Sequence, residues 1–323
     1  QESADGIQWE DIDDFDDTLQ PESLSSSKYY RLSATSNFNC GPVFSEPVFI
    51  EVYELLNPGT ISNNQNICYD TSSSELEFDI NPSGADGNYS FLWQQSQDNF
   101  TYQSANQENS QTTYQSENLI QSTYYRVQVT SDYGCGTTHT EPVFVNVFSP
   151  LTPGSIGDSQ EVCFGDSPDI HQFITPPSGA DGNYTYLWEQ SIDGINFSEA
   201  NLVNNDSSYL SGSLTQSTYY RVNVTSDYGC GSLTTNIIKD SVYQQMTAPI
   251  ISEGQSICYN TIPQELNMIA PATGGGDISY IYQWQESADG IQWEDIDDFD
   301  DTLQPESLSS SKYYRLSATS NFN

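Results

Sequence analysis

Six cysteines are the residues of this sequence whose chemistry depends most on spacing. They form two series with a period of 95 residues: Cys40, Cys135 and Cys230 in one, and Cys68, Cys163 and Cys258 in the other. No two of them are close enough in sequence for a zinc motif, and neither histidine recurs at a matching position. The spacing therefore favours disulfides in an oxidising compartment over a metal centre.

Two disulfide pairings fit this spacing. Pairing within domains gives Cys68 with Cys135, and Cys163 with Cys230. Cys40 and Cys258 are then either free or paired between molecules. Pairing across domain joints gives bonds between residues 28 apart: Cys40 with Cys68, Cys135 with Cys163, and Cys230 with Cys258. We predict pairing within domains because small secreted domains usually carry their own disulfides, although a strict immunoglobulin topology would place those sulfurs at opposite poles.

An acidic run offers a second kind of chemistry. Its carboxylates are Asp11, Asp13, Asp14, Asp16 and Asp17, and the run recurs at residues 295–301. Clustered carboxylate oxygens suit calcium. The corresponding segment of a sister domain, residues 101–106, is neutral, and charge runs are usually solvated. We expect a solvated loop, with a calcium site as the alternative and no other cofactor.

Catalytic motifs are absent from the sequence. His139 and His171 occupy different positions in the repeat, and there is no nucleophile elbow, phosphate loop or metalloprotease helix. No pair among the 45 acidic residues stands out as a glycosidase dyad. We expect a protein that is not an enzyme.

The charge balance limits the partners of the chain. Seven basic residues against 45 acidic ones give a net charge of −38, which would repel nucleic acid and anionic lipid. No apolar run approaches the 18 residues of a membrane-spanning helix, and the N-terminus lacks signal-peptide features. We expect an internal fragment of a longer secreted protein, with neither nucleic-acid binding nor direct membrane insertion.

Two nested repeats organise the chain. Trp93, Trp188 and Trp284 recur with the cysteine period to within one residue, and residues 1–39 are identical to residues 285–323. The repeats predict four segments, which we number repeat 1 to repeat 4. Residues 1–56 are the C-terminal part of a domain, 57–151 and 152–247 are complete domains, and 248–323 are the N-terminal part of another. Their short, proline-containing joints predict semi-rigid linkage.

Alternation with a period of two predicts strands throughout. In repeat 2, a first strand is interrupted near Asn63 and a last strand ends at Val147. Tyr89, Phe91 and Trp93 should face the core, and so should the residues at positions 125, 127 and 129. This order predicts an all-β fold of tandem immunoglobulin-like sandwiches, arranged as an elongated rod.

Side chains outside the core are predicted to have structural roles. Tyr133, Tyr228 and Phe38 lie at hairpin tips that should point towards the preceding domain and pack on the joint. Arg126 and Arg221 should face outward, held by a neighbouring acid or an aromatic face.

Three motifs carry a family resemblance. They are Ile-Cys followed by Tyr or Phe, then Tyr-x-Trp-x-x-Ser-x-Asp-Gly, and then Ser-Thr-Tyr-Tyr-Arg-Val-x-Val-Thr-Ser-Asp-Tyr-Gly-Cys-Gly. The pattern resembles immunoglobulin-like and PKD-like repeats of giant Bacteroidota surface adhesins, in particular the SprB-type gliding-motility adhesins. The resemblance implies type IX secretion, display as a cell-surface filament and movement against a substratum.

The repetition predicts a mechanical function. We expect a stalk that projects a binding tip from the cell, with neighbouring copies of the repeat, a surface polysaccharide or a substratum as partners. A carbohydrate-binding array and a self-assembling filament, in which half-domains complete each other end to end, are the alternatives.

Overall fold

The computed structural model describes residues 1–14, 16–38, 40–106, 109–276 and 279–320. It divides into two compact units, Gln1–Pro150 and Leu151–Asn323. Regular structure in these described ranges consists of strands, with no helix. The predicted all-β fold class is confirmed.

Repeat 1 contributes five short strands to the first unit. They are β1 (Glu2–Ser3), β2 (Lys28–Tyr30), β3 (Ser33–Thr35), β4 (Pro42–Phe44) and β5 (Val48–Ile50). β2 lies between β1 and β5 in an antiparallel sheet, while β3 and β4 form a hairpin. The ladder between β2 and β5 pairs Lys28 with Ile50, Tyr29 with Phe49 and Tyr30 with Val48.

Repeat 2 folds as a two-sheet sandwich. Its strands are β6 (Thr60–Ile61), β7 (Gln65–Ile67), β8 (Phe78–Ile80), β9 (Tyr89–Ser96), β10 (Gln103–Ser104), β11 (Thr123–Ser131), β12 (Thr137–His139) and β13 (Val143–Val147), and β14 (Ser149–Thr152) follows. One sheet has the order β10-β9-β11-β13-β7, with β12 also on β11. β6 and β8 form the other, extended by a bridge between Leu76 and Tyr114.

The core of repeat 2 lies between these sheets. β11 alternates buried and partly exposed residues along its whole length, as predicted, and Trp93 on β9 is fully buried. The Trp93 ring stacks on Tyr114 at 5.6 Å, and its indole N–H donates to the Gln111 carbonyl at 3.0 Å. Burial of such large aromatic side chains supplies most of the hydrophobic stabilisation of a small sandwich.

Repeat 3 uses the same strand order. Its strands are β15 (Ser155–Ile156), β16 (Glu161–Val162), β17 (His171–Thr175), β18 (Ser178–Ala180), β19 (Tyr184–Ser191), β20 (Ser198–Glu199), β21 (Ser208–Tyr209), β22 (Thr218–Ser226), β23 (Ser232–Thr234) and β24 (Ile238–Val242). One sheet has the order β16-β24-β22-β19-β20, and the other β15-β17-β21. In repeats 2 and 3 the last long strand pairs in parallel with the second half of the first strand.

Repeat 4 has six strands in two three-stranded sheets. They are β25 (Ile250–Ile251), β26 (Leu266–Ala270), β27 (Tyr280–Ser287), β28 (Glu294–Asp295), β29 (Thr302–Leu303) and β30 (Tyr313–Ser320). β27 lies between β28 and β30, and β26 between β25 and β29. Trp284 on β27 is fully buried between these sheets.

Candidate functional site: the joints between repeats

Main-chain hydrogen bonds hold the joint inside each unit. Between repeats 1 and 2, the Ala85 N–H donates to the Glu54 carbonyl at 2.9 Å. Between repeats 3 and 4, the Gly275 N–H donates to the Gln244 carbonyl at 2.8 Å. The two bonds occupy equivalent positions, 190 residues apart. The joint is therefore a repeated structural element. In each unit, the segment at the end of one repeat is hydrogen-bonded to a loop of the next repeat.

Glycine is required where this loop meets the incoming chain. Gly84 has a φ of +78°, and a Cβ there would lie 2.1 Å from the Leu55 carbonyl oxygen. Gly274 has a φ of +85°, and its Cβ would lie 2.3 Å from the Gln245 carbonyl oxygen. At either position, the Cβ of any other residue would clash with backbone atoms, and the positive φ would be strained. The close approach therefore depends on glycine.

A core tyrosine anchors each of these loops. The Tyr89 hydroxyl at the start of β9 donates to the Gly84 carbonyl at 2.7 Å, and Tyr280 on β27 makes the same bond to Gly274 at 2.7 Å. The alternation of the strand places the tyrosine ring on the core side and its hydroxyl at the loop. The packed core thus fixes the position of the joint.

The hairpin tip between β11 and β12 reaches the joint of the first unit. Tyr133 lies edge-on to Tyr53, with ring centroids 5.4 Å apart and an interplanar angle of 73°. The negative charge of Glu51 raises the pKa of the Tyr53 hydroxyl. Of the other two predicted tip residues, Tyr228 is half exposed and Phe38 is almost fully exposed. That these tips stiffen the joints remains a prediction.

A carboxylate ties the tip to the loop. The Ser131 hydroxyl donates to Asp86, and this bond lowers the pKa of the Asp86 carboxyl. The Asp132 N–H also donates to the Asn88 carbonyl at 3.1 Å. Ser226 and Asp181 form the same bond in repeat 3, with the same lowering of the carboxyl pKa.

Every arginine lies over an aromatic ring. The guanidinium carbon is 4.1 Å from the ring centroid of Trp9 for Arg31, 3.7 Å from Tyr102 for Arg126, 4.1 Å from Phe197 for Arg221 and 4.2 Å from Trp293 for Arg315. Arg221 also donates to Glu189 at 2.6 Å, whereas Arg126 donates to Gln94 at 2.9 Å. The predicted outward arginine, held by an acid or an aromatic face, is confirmed.

The cysteines require a correction. Cys68 and Cys230 are disulfide-bonded, whereas Cys135 and Cys163 are free thiols, so neither bond predicted within a domain is present. Cys40 and Cys258 are free and exposed. The alternative pairs across the joints are absent too, because each contains at least one free thiol.

The topology explains why pairing within a domain fails. β7 runs parallel to β13, and Ile67 pairs with Val147 at the far end of that strand. Cys68 follows at this end, whereas Cys135 lies in the hairpin that precedes β12. About ten residues of extended chain, roughly 30 Å, separate the two ends. A disulfide spans only about 4–7 Å between Cα atoms.

The carboxylates of the acidic run face solvent. Asp11, Asp13, Asp14, Asp16 and Asp17 are all exposed. One carboxylate oxygen of Asp11 accepts from the Gln1 side chain at 2.8 Å, and one of Asp14 accepts from the Asp16 N–H at 3.0 Å. Among the described residues, no group of three or more acidic, histidine or cysteine side chains is placed to hold a metal. The solvated loop stays a prediction, with a calcium site as its alternative.

A buried polar pair in repeat 3 was not predicted. Nε2 of His171 donates to Oδ2 of Asp240 at 2.9 Å, and both side chains are fully buried. The Gln160 N–H donates to Oδ1 of Asp240 at 3.3 Å, and its side-chain amide lies 3.3 Å from Nδ1 of His171. The pair packs beside Tyr220. Closed off in the core, it has a structural role.

Alignment of the repeats would have revealed this pair. His171 and Asp240 lie 95 residues after Leu76 and Val145, which are fully buried in repeat 2. Two apolar core positions of one repeat are thus polar in the next. Such a paired exchange is the signal of a contact, because a single buried charge would be strongly destabilising.

Fold and joints together define a protein of tandem immunoglobulin-like repeats. The chain belongs to the family described as "Domain of unknown function (DUF8696)", whose profile matches residues 1–54, 57–149, 152–244 and 247–322. No curated protein matches the sequence. No helix in the described ranges has the length and apolar character needed to cross a membrane.

Solved structures of tandem domains resemble the chain. Three N-terminal domains of the Highly Immunogenic Outer Capsid protein (Hoc) of bacteriophage RB49 are 14% identical, with a TM-score of 0.34, over 80% of this chain and 86% of that one. Titin domains I67–I69 are 11% identical, with a TM-score of 0.40 and the same coverages. Drosophila OTK extracellular domains 3–5 are 14% identical, with a TM-score of 0.32, over 67% of this chain and 70% of that one. These similarities carry no argument about function.

Proposed function

We propose that the chain is part of the repetitive stalk of a secreted cell-surface adhesin or filament. The observation that carries the proposal is the joint, in which the same main-chain bond, from Ala85 to Glu54 and from Gly275 to Gln244, recurs in the two units. A linkage built from backbone hydrogen bonds and a required glycine resists bending better than a flexible linker does. Copying such a unit adds length in a defined way.

Two further properties support an extracellular spacer. The net charge of −38 makes neighbouring stalks repel each other, which favours separate, soluble filaments. The presence of disulfide-bonded cysteines, Cys68 and Cys230, fits an oxidising compartment. The finer proposal, that the stalk projects a tip used in surface adhesion or gliding motility after type IX secretion, rests on the sequence resemblance.

Added length is the property to test. Because residues 1–39 are identical to 285–323, residues 40–323 can be appended after Asn323 without disturbing the repeat frame. At about 35–45 Å per domain, these three repeats should increase the maximum dimension in small-angle X-ray scattering by roughly 120 Å. An increase typical of a larger globule would contradict the stalk. Binding of the chain to a glycan array would favour the carbohydrate-binding alternative instead.

A further inference from the structure

Repeat 3 contains an open pocket with a volume of about 340 Å³. It lies between the hairpin that joins β19 to β20 and residues 213–216, which precede β22. The buried side chains of Thr218 and Tyr220 form its floor. All of the residues that line the pocket belong to repeat 3, so it is formed within one sandwich.

Hydrogen bonds hold both walls of the pocket in place. In the hairpin, one carboxylate oxygen of Asp193 accepts the N–H groups of Ile195 and Asn196, each at 2.8 Å. In the facing segment, the Leu214 N–H donates to the Asp166 carbonyl at 2.8 Å. The pocket is therefore formed before any ligand binds, and binding requires little ordering of the chain.

The lining of the pocket is polar but uncharged. Amides and hydroxyls predominate, and none of the 45 acidic or seven basic residues of the chain is among the side chains that line it. Gln190, Asn201 and Gln216 supply amides, which both donate and accept hydrogen bonds. Ile192 and Leu214 add apolar surface. This lining suits a neutral ligand that has several hydroxyl groups and an apolar face, as a sugar ring has.

The equivalent place in repeat 2 is closed by a side chain. The amide of Gln97 donates to the Thr123 hydroxyl at 3.2 Å, which connects the hairpin after β9 to the start of β11. Repeat 3 has Ile192 at the position of Gln97 and Thr218 at the position of Thr123. Isoleucine cannot make this bond, and Ile192 is 67% exposed. The exchange of Gln97 for Ile192 therefore leaves the pocket of repeat 3 open.

We propose that this pocket binds one sugar residue of a neutral carbohydrate. The amides of Gln190, Asn201 and Gln216 hydrogen-bond the hydroxyl groups of the sugar, and Ile192 and Leu214 contact its C–H face. The volume of the pocket lies at the lower end of the range for small-molecule sites, about 300–1,000 Å³, which suits a single ring. The site is an addition to the stalk and does not depend on it.

Charge distinguishes this ligand from an acidic sugar. The chain has a net charge of −38, and no basic side chain lines the pocket to hold a carboxylate or sulfate group. Binding of a neutral sugar should therefore change by less than about twofold between about 0.05 and 0.5 M salt. Glucuronic acid should bind more weakly than glucose, and most clearly so at low salt.

The test is a titration of the isotope-labelled full chain, followed by the amide signals in NMR spectra. The probes are glucose, galactose, mannose, N-acetylglucosamine and their neutral disaccharides. We expect at least one of them to shift the side-chain amide signals of Gln190, Asn201 and Gln216 in a saturable way. The dissociation constant should be on the order of 1 mM or below, in keeping with a small ligand and an open site.

A matched pair of variants assigns the binding to the pocket. Ile192→Gln copies the residue that closes the pocket in repeat 2 and should weaken binding at least about tenfold. Ile195→Gln is the control, because Ile195 is 80% exposed on the same hairpin but does not line the pocket. The control variant should bind with unchanged affinity.

Three results would overturn the proposal. They are the absence of these shifts with every sugar of the panel, binding that survives Ile192→Gln, and equal shifts with a short Gly-Ser peptide. Binding that survives Ile192→Gln would point to the carbohydrate-binding array, which requires sites in the other repeats. A single site in repeat 3 is compatible with the stalk, which is tested separately by the dimensions of the extended chain.

Discussion

Nε2 of His171 lies 2.9 Å from Oδ2 of Asp240 in the core of repeat 3, and neither side chain reaches solvent. The same two positions of repeat 2 hold Leu76 and Val145. The same fold therefore accommodates either an apolar pair or a polar pair of side chains at this core contact. The comparison offers a natural control for the energetics of the buried pair.

Breaking this pair should cost much more than replacing it. Asp240→Val or His171→Leu alone leaves a buried polar group without its partner and should destabilise repeat 3 by about 3–5 kcal/mol. The double variant reproduces the apolar pair of repeat 2 and should be more stable than either single variant. Hydrogen exchange of the β22 amides measures the effect, with β11 of repeat 2 as the internal control. Additive losses in the double variant would refute the prediction.

The joint should fail when Gly84 acquires a side chain. Gly84→Ala forces a Cβ against the Leu55 carbonyl, so the hydrogen bond from Ala85 to Glu54 should be lost. Gly87→Ala is the matched control, because Gly87 also has a positive φ but a Cβ there has nothing within 4 Å. The control should show only the backbone strain, about 1 kcal/mol. Hydrogen exchange of the Ala85 amide should accelerate at least tenfold in the first variant alone, and equal acceleration in both would contradict the account.

The arginine and aromatic contacts should be coupled energetically. A double-mutant cycle with Arg126→Ala and Tyr102→Ala should give an interaction energy of about 0.5–1 kcal/mol in urea unfolding. Arg126→Lys should lose part of it, because lysine lacks the planar group that stacks on the ring. Repetition of the cycle with Arg126 and the distant Tyr133 should give no coupling. A value near zero for the first pair would mean that the contact is not stabilising.

Hydrogen bonds to the Asp98 carboxylate should make the stability of its turn depend on pH in the acid range. N–H groups of Thr101 and Phe100 donate to its carboxylate, as does the Ser96 hydroxyl, and they lower the pKa of Asp98 to about 2. Since the folded pKa lies below the unfolded value of about 3.9, the stabilisation is complete above about pH 4. It is lost as the pH falls through about 2.

Carboxyl carbon NMR tests this prediction directly. Asp98 should remain ionised down to about pH 2, and Ser96→Ala should raise its pKa because one donor is removed. Ser90→Ala, on the same strand but away from the turn, should leave the titration unchanged. An Asp98 midpoint near 4 in the native chain would contradict the assigned hydrogen bonds.

Much of the fold could be predicted because one face of each long strand is buried. Tyr125, Val127 and Val129 alternate with polar neighbours, and the structure buries all three. The pairing of Tyr114 with Leu76 was missed, because an isolated bridge leaves no periodic pattern. The disulfide prediction was wrong because strand direction, which spacing does not encode, sets the distance between Cys68 and Cys135.

The joints between repeats could be predicted only in part. The sequence predicts their positions only through short, proline-containing segments. The close contact of Gly84 with Leu55 depends on how two neighbouring repeats meet, and no local pattern records that approach. His171 and Asp240 are 69 residues apart, so only alignment between repeats could have connected them.

Single-molecule stretching under reducing conditions tests most directly the central claim that each repeat is an independent module joined in series. The two complete repeats, residues 57–151 and 152–247, should unfold in separate events, each lengthening the chain by about 30 nm. Unfolding of the whole chain in one event would contradict the claim.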